Sequence, residues 1–174
     1  MLTIGVDVGI TGAIAFIDGC AQLVSVADLP ICVHGKSKWV DPLPLIALVR
    51  EAKLKDGDMQ MPRAFVEATH AMPKLGTVAA NSKGMTLGST LAALQIAGVS
   101  IELVTPQKWK AALGLLMPKA SDKEKKATSL TRARMLFPSA DLDRVKDHGR
   151  AEALLIAHWA YRSFAAPAAR VVRE

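Results

Sequence analysis

Two hydrophobic periods divide this chain into short strands and longer helices. Residues 2–7 are apolar or β-branched apart from Gly5 and the closing Asp7, which is the pattern of a buried strand. Gly9 and Gly12 punctuate a tight turn, and residues 12–18 and 22–27 read as a second and a third strand. The chain should therefore open with an antiparallel meander. Residues 28–40 read as a loop centred on Gly35, Lys36 and Ser37. Asp41 and Pro42 fit an N-cap and a first helical position, and Leu45, Ile46, Leu48 and Val49 then mark a helical face as far as Lys53. A fourth strand is expected over 62–67, a helix with small residues on one side over 85–97, and a fifth strand over 101–104. Thr105-Pro106 opens a short helix. Ser121-Asp122-Lys123-Glu124 fits a capping box, and its helix should stop before Pro138. A last helix starts near Asp147 and reaches Phe164. This order predicts an α/β fold, a five-stranded mixed sheet with three antiparallel strands first and helices on both faces.

Three acids interrupt that apolar pattern. Asp7 ends the first strand and Glu67 ends the fourth. A buried lone carboxylate is costly, so each needs a partner or a cation. Glu152 lies in the last helix, flanked by the seam of Ala151, Leu155 and Trp159. His148 stands one turn earlier, at i−4 from Glu152, and Asp147 sits at the helix start, where an N-cap is the plainer use.

Size and charge narrow the choices. The 174 residues suit one domain, 1–174, and 51% are apolar, enough for a real core. No uncharged apolar run is long enough for a membrane span, and no basic flank precedes a cleavable apolar run at the N-terminus. Cys20 and Cys32 lack metal-ligand spacing and read as reduced thiols, which suits the cytoplasm. A net charge of +6, with an isoelectric point near 9.5, suits a polyanionic partner. Much of the excess falls in a basic block over 108–134.

Asp7, Gly9, Thr11 and Gly12 spell Asp-x-Gly-x-Thr-Gly. This resembles the phosphate loop of sugar kinases and actin, and equally the first hairpin of ribonuclease H-like nucleases. The kinase plan needs two such domains, so the length favours the nuclease. With "FVEATHAMP", "VTPQKWK" and "DHGRAEALLIA" following in order, the chain resembles the RuvC family of Holliday-junction resolvases, especially its phage-type members. That resemblance implies a ribonuclease H-like fold, a homodimer and magnesium-dependent cutting of four-way DNA to 5′-phosphate and 3′-hydroxyl ends. It matches Asp7, Glu67 and Glu152 to the family's acids. The usual companion acid falls on Gly149, so Asp147 or His148 is expected to supply the missing ligand. Oxygen ligands suit Mg2+, with Mn2+ able to substitute, and two ions per site are expected. The loop after the second acid often carries an aromatic wedge in this family; here it offers His70, Met72 and Asn81. Lys74, Lys83, Lys108, Lys110, Lys123, Lys126, Arg132 and Arg150 are candidate phosphate contacts. Residues 85–97 are the candidate dimer helix. A nuclease for RNA or an RNA–DNA hybrid, and a junction-binding protein without catalysis, remain alternatives.

Overall fold

β1 (Thr3–Asp7) lies in the middle of the sheet because both of its faces can be covered. Ile4 and Val6 point to one face and are fully buried; Thr3, Gly5 and Asp7 point to the other. The computed structural model describes residues 1–35, 37–68 and 76–165. β2 (Ala13–Ile17) and β3 (Leu23–Asp28) complete the expected antiparallel meander. β6 (Arg63–Glu67) and β7 (Ser100–Val104) join on the other side of β1, both parallel to it, and the five strands run in the order β3-β2-β1-β6-β7.

Residues 28–40 are not all loop. Ile31–His34 (β4) and Ser37–Val40 (β5) pair as a separate two-stranded sheet. Gly35, at φ 61°, turns the chain after β4, and the hairpin's mostly exposed or half-exposed side chains gave no strong alternating signal. α1 (Pro42–Asp56) starts as expected: the Asp41 carboxylate accepts from the Leu43 N–H at 3.2 Å, and Pro42 takes the first helical position. It ends where Gly57 adopts a left-handed φ of 67°.

α2 (Thr77–Ile96) begins two turns before the expected Met85, because Asn81, Ser82, Lys83 and Gly84 hide its first half from an apolar periodicity. The β4–β5 hairpin packs on it. Ser82 Oγ donates to the Lys38 carbonyl at 3.2 Å and Ser89 Oγ to the Val40 carbonyl at 2.7 Å. α3 (Pro106–Ala112) and α4 (Asp122–Leu136) follow. The capping box at α4 forms, with Ser121 Oγ accepting from the Glu124 N–H and the Glu124 carboxylate accepting from the Ser121 N–H at 2.7 Å. α5 (His148–Ala160) continues into one π-helical turn at Tyr161–Ala165.

The sheet separates two cores. Ile4, Val6, Ile14, Phe16, Ala64 and Val66 face α1 and α2. Ala15, Ile17 and Phe65 face α5, with Leu154, Leu155 and Trp159 beyond them. Among the described residues, no helix is long and apolar enough to cross a membrane.

Candidate active site

α5 can approach the sheet closely because small residues meet there. A Cβ on Gly5 would stand 2.1 Å from the Ala153 carbonyl oxygen and 2.5 Å from the Ala157 nitrogen. One turn before Ala153, a Cβ on Gly149 would stand 2.6 Å from the Thr11 carbonyl oxygen and 3.4 Å from Asp7 Oδ2. The series Gly149, Ala153, Ala157 thus forms a side-chain-poor seam at i, i+4, i+8, laid over β1 and its turn. The seam carries Glu152 to the carboxyl end of β1.

The parallel pairing of β1 with β6 places Asp7 and Glu67 directly opposite each other at that end. Asp7, Glu67 and Glu152 come from positions far apart in the chain, yet each offers a carboxylate oxygen within 4.8 Å of the others. Glu67 is buried; Asp7 and Glu152 are half-buried.

Confinement shifts Asp7 and Glu67 toward the protonated form. Burial, followed by the charges of Glu152 and Glu67, pushes Asp7 up to about 8, against the opposing pull of Lys110 and Lys126. Burial also raises Glu67, and the Glu152 charge adds to that, while a hydrogen bond from Trp109 works the other way. The Trp109 Nε1–H donates to Glu67 Oε2 at 2.6 Å. Glu152 Oε1 receives the Lys110 ammonium at 2.9 Å and the Ser129 hydroxyl at 3.3 Å. A carboxylate cluster in which burial holds back the ionisation of Asp7 and Glu67 fits a hard divalent cation, which would favour their charged forms.

The other expected ligands are placed differently. Asp147 is 1% exposed and stands outside the three-acid cluster. Its carboxylate accepts from the Arg144 backbone N–H at 2.8 Å and from Arg144 Nε at 2.7 Å. Burial alone would raise its pKa, but Arg144 and then Arg150 hold it below the ordinary carboxylate value. It occupies the N-cap position of α5 without a side-chain cap bond. His148 is the first residue of α5, half-buried and one turn from Glu152, and it too stands outside the three-acid cluster.

The candidate cations divide three ways. Lys83, Lys108, Lys123 and Lys126 are exposed. Lys83 lines a cleft of about 310 Å³ beside Glu67. Lys108 lies 3.6 Å from Glu102 and over the rings of Trp159 and Phe164. Lys110 is committed to Glu152, and Arg150 binds Asp28 and Asp141, each at 2.6 Å. Arg132 is half-buried on α4, with an Nε that finds no partner among the described residues. Lys74, His70 and Met72 lie outside the described residues. Asn81 is exposed on α2.

Sequence reading missed Trp109 and Ser129. The signal was present in "VTPQKWK", but its lysines drew attention to phosphate while its indole was aimed at an acid.

No family model matches the chain. Over 98 residues it is 39% identical to the chloroplastic Holliday junction resolvase MOC1 of Chlamydomonas reinhardtii. That match takes in 55% of this chain and 10% of the relative. Among solved structures it resembles T. thermophilus RuvC in complex with a Holliday junction substrate, with a TM-score of 0.54 and 22% identity over 94% of this chain and 96% of that one. A second Thermus thermophilus RuvC structure gives a TM-score of 0.50 at 21% identity, with the same coverage. The five-stranded sheet, its covering helices and these likenesses together make the fold RuvC-like, within the ribonuclease H-like class.

Proposed function

We propose that the chain is a divalent-metal-dependent endonuclease that resolves four-way DNA junctions, with Asp7, Glu67 and Glu152 as its catalytic and metal-holding acids. The observation that carries this reading is the convergence of those three carboxylates within 4.8 Å on the α5 side of the sheet. The likeness to the MOC1 resolvase and to RuvC supports the choice of substrate.

Bound divalent cations, Mg2+ with Mn2+ as a substitute and two per site, would activate water and stabilise the leaving 3′ oxygen, giving 5′-phosphate and 3′-hydroxyl ends. The chain's own part is to hold the acids in place and tune them. Trp109 fixes one oxygen of Glu67 and favours its ionised form. Lys110 and Ser129 fix one oxygen of Glu152. Lys110 and Lys126 offset part of the repulsion at Asp7. His148, one turn before Glu152 on α5, is kept as the candidate for a fourth ligand, since Asp147 is engaged by Arg144. Exposed Lys83, Lys108, Lys123 and Lys126, together with Lys74, would bind backbone phosphates.

Two symmetric cuts across a junction are most simply made by a twofold dimer. α2 offers a face for it: Val78, Met85 and Ile96 are exposed and fall on one side of the helix.

The test is cleavage of a mobile four-way junction beside linear duplex, RNA–DNA hybrid and structured RNA, in magnesium, manganese, calcium or chelator. Paired nicks in the junction with magnesium, and none with chelator, are expected. Cutting confined to RNA or hybrid would overturn the substrate, and tight junction binding with no cutting in either metal would overturn the catalysis.

A further inference from the structure

A cleft of about 190 Å³ opens between α3, α4 and the loop that joins them. Leu115, Leu116 and Met117 form its apolar wall. That wall is anchored: the Leu115 N–H donates to the Lys110 carbonyl at 2.8 Å, the preceding Gly114 turns the chain at φ 69°, and Leu115 is itself buried. Leu116, by contrast, is 51% exposed, an apolar side chain held out beside the opening. Lys110 and Ser129 line the cleft as well, and both contact Glu152 Oε1. Whatever fills this space is therefore one side chain away from Glu152.

Resting on the nuclease reading above, we propose that this cleft takes one unstacked nucleobase of the strand being cut and reads its identity. Size, chemistry and position support that occupant. The volume suits one base and is below the ~300 Å³ at which pockets for larger ligands begin. An apolar wall matches the faces of a base, which bind apolar and aromatic side chains without regard to sequence. Gln107, exposed at the rim, adds an amide with both donors and an acceptor, the group that distinguishes one base edge from another. Lys125, also at the rim, supplies positive charge for a flanking phosphate. Unstacking costs a few kcal/mol and least where pairing is already weakened.

The experiment places 2-aminopurine one nucleotide to either side of the cut in a four-way junction and binds the full chain in calcium. Cut-site profiles in magnesium are then measured on junctions carrying all base pairs at those two positions. A rise in fluorescence at one of the positions, and a base preference there, are expected. Leu116→Ser should remove the rise, and Gln107→Ala should flatten the preference by about tenfold, the scale of one base-edge contact. Leu54→Ser, at an exposed position on α1, is the control and should change neither. Junctions bound and cut with no fluorescence change, or with profiles unaltered in both variants, overturn this inference alone. Failure to bind or cut four-way junctions overturns the nuclease reading, and this one with it.

Discussion

Trp109, with no exposed surface, donates its indole N–H to Glu67 at 2.6 Å. A buried indole needs an acceptor, and a buried carboxylate needs donors, so each group offsets the other's desolvation. α3 is thereby tied to the end of β6. Trp109→Phe keeps most of the ring but leaves that Glu67 oxygen without its donor. Bonds to charged groups are worth about 1.5–3 kcal/mol, and a loss of that order is expected in urea unfolding. With the hydrogen bond gone, Glu67 should also move further up, so the cleavage rate should fall most near neutral pH and recover toward alkaline pH. Wild-type stability together with an unchanged pH profile would show that the bond has no such role.

Asp7→Asn separates charge from shape at the centre of the cluster. The amide cannot ionise, so repulsion from Glu152 and Glu67 at that position disappears. In chelator at pH 8 the variant should melt above the wild type. It should bind junctions normally, cut none, and show little of the magnesium-induced rise in Tm expected of the wild type. Near wild-type nicking by this variant would remove Asp7 from the mechanism.

The raised pKa of Asp7 also sets a pH dependence. Its folded value is about 8 and its ordinary value 3.8, so the folded chain keeps a proton that the unfolded chain has released. That contribution to stability is complete below the ordinary value and is lost as pH rises toward 8. Glu67 shifts in the same direction. In chelator, Tm should decline across this window. Magnesium favours the ionised acids, so its apparent affinity should climb by up to about tenfold per pH unit and level off above 8. Thermal melts from pH 5 to 9, with magnesium and with chelator, provide the check; parallel curves would contradict it.

Asp147 should behave in the opposite sense. Arg144 holds its pKa below 3.8, so its stabilising effect is present above that value and lost as pH falls through the folded one. Asp147→Asn should lower the urea midpoint at pH 7 and reduce the wild type's sensitivity to acid. Because its carboxylate stands apart from the cluster, the magnesium-induced rise in Tm should survive. Loss of that rise in a folded variant would return Asp147 to the metal site.

Much of the architecture was readable from local signals. Asp41-Pro42, the Ser121–Glu124 box and the apolar runs ending at Asp7 and Glu67 each state a start or a stop within a few residues. The hairpin at 31–40 and the first two turns of α2 were not readable, because they support each other. Ser82 and Ser89 hydrogen-bond to the hairpin's carbonyls, contacts that no one-dimensional pattern encodes. The site divides in the same way. Acids ending apolar strands stand out in a sequence, whereas Asp147 looks equally available until Arg144 is seen against it. Lys110 and Arg150 likewise look like phosphate contacts until their carboxylate partners are placed.

Gly149 offers the sharpest test of how the site is held. The sequence resemblance sets an acid at this position, and introducing one is the obvious attempt at a fourth ligand. The backbone argues otherwise, since the first carbon of any side chain there would lie 2.6 Å from the Thr11 carbonyl oxygen. Relief requires α5 to move off the β1–β2 turn, and Glu152, three residues along the same helix, must move with it. Overpacking of this kind typically costs about 1–3 kcal/mol. Gly149→Ala should therefore lower stability, weaken the magnesium-induced rise in Tm and slow cleavage, although it removes no ligand. Gly149→Asp should be no better than Gly149→Ala in metal affinity measured by calorimetry. A gain in affinity with Asp, at undiminished stability, would mean that the turn yields and that the fourth ligand was only missing, not excluded.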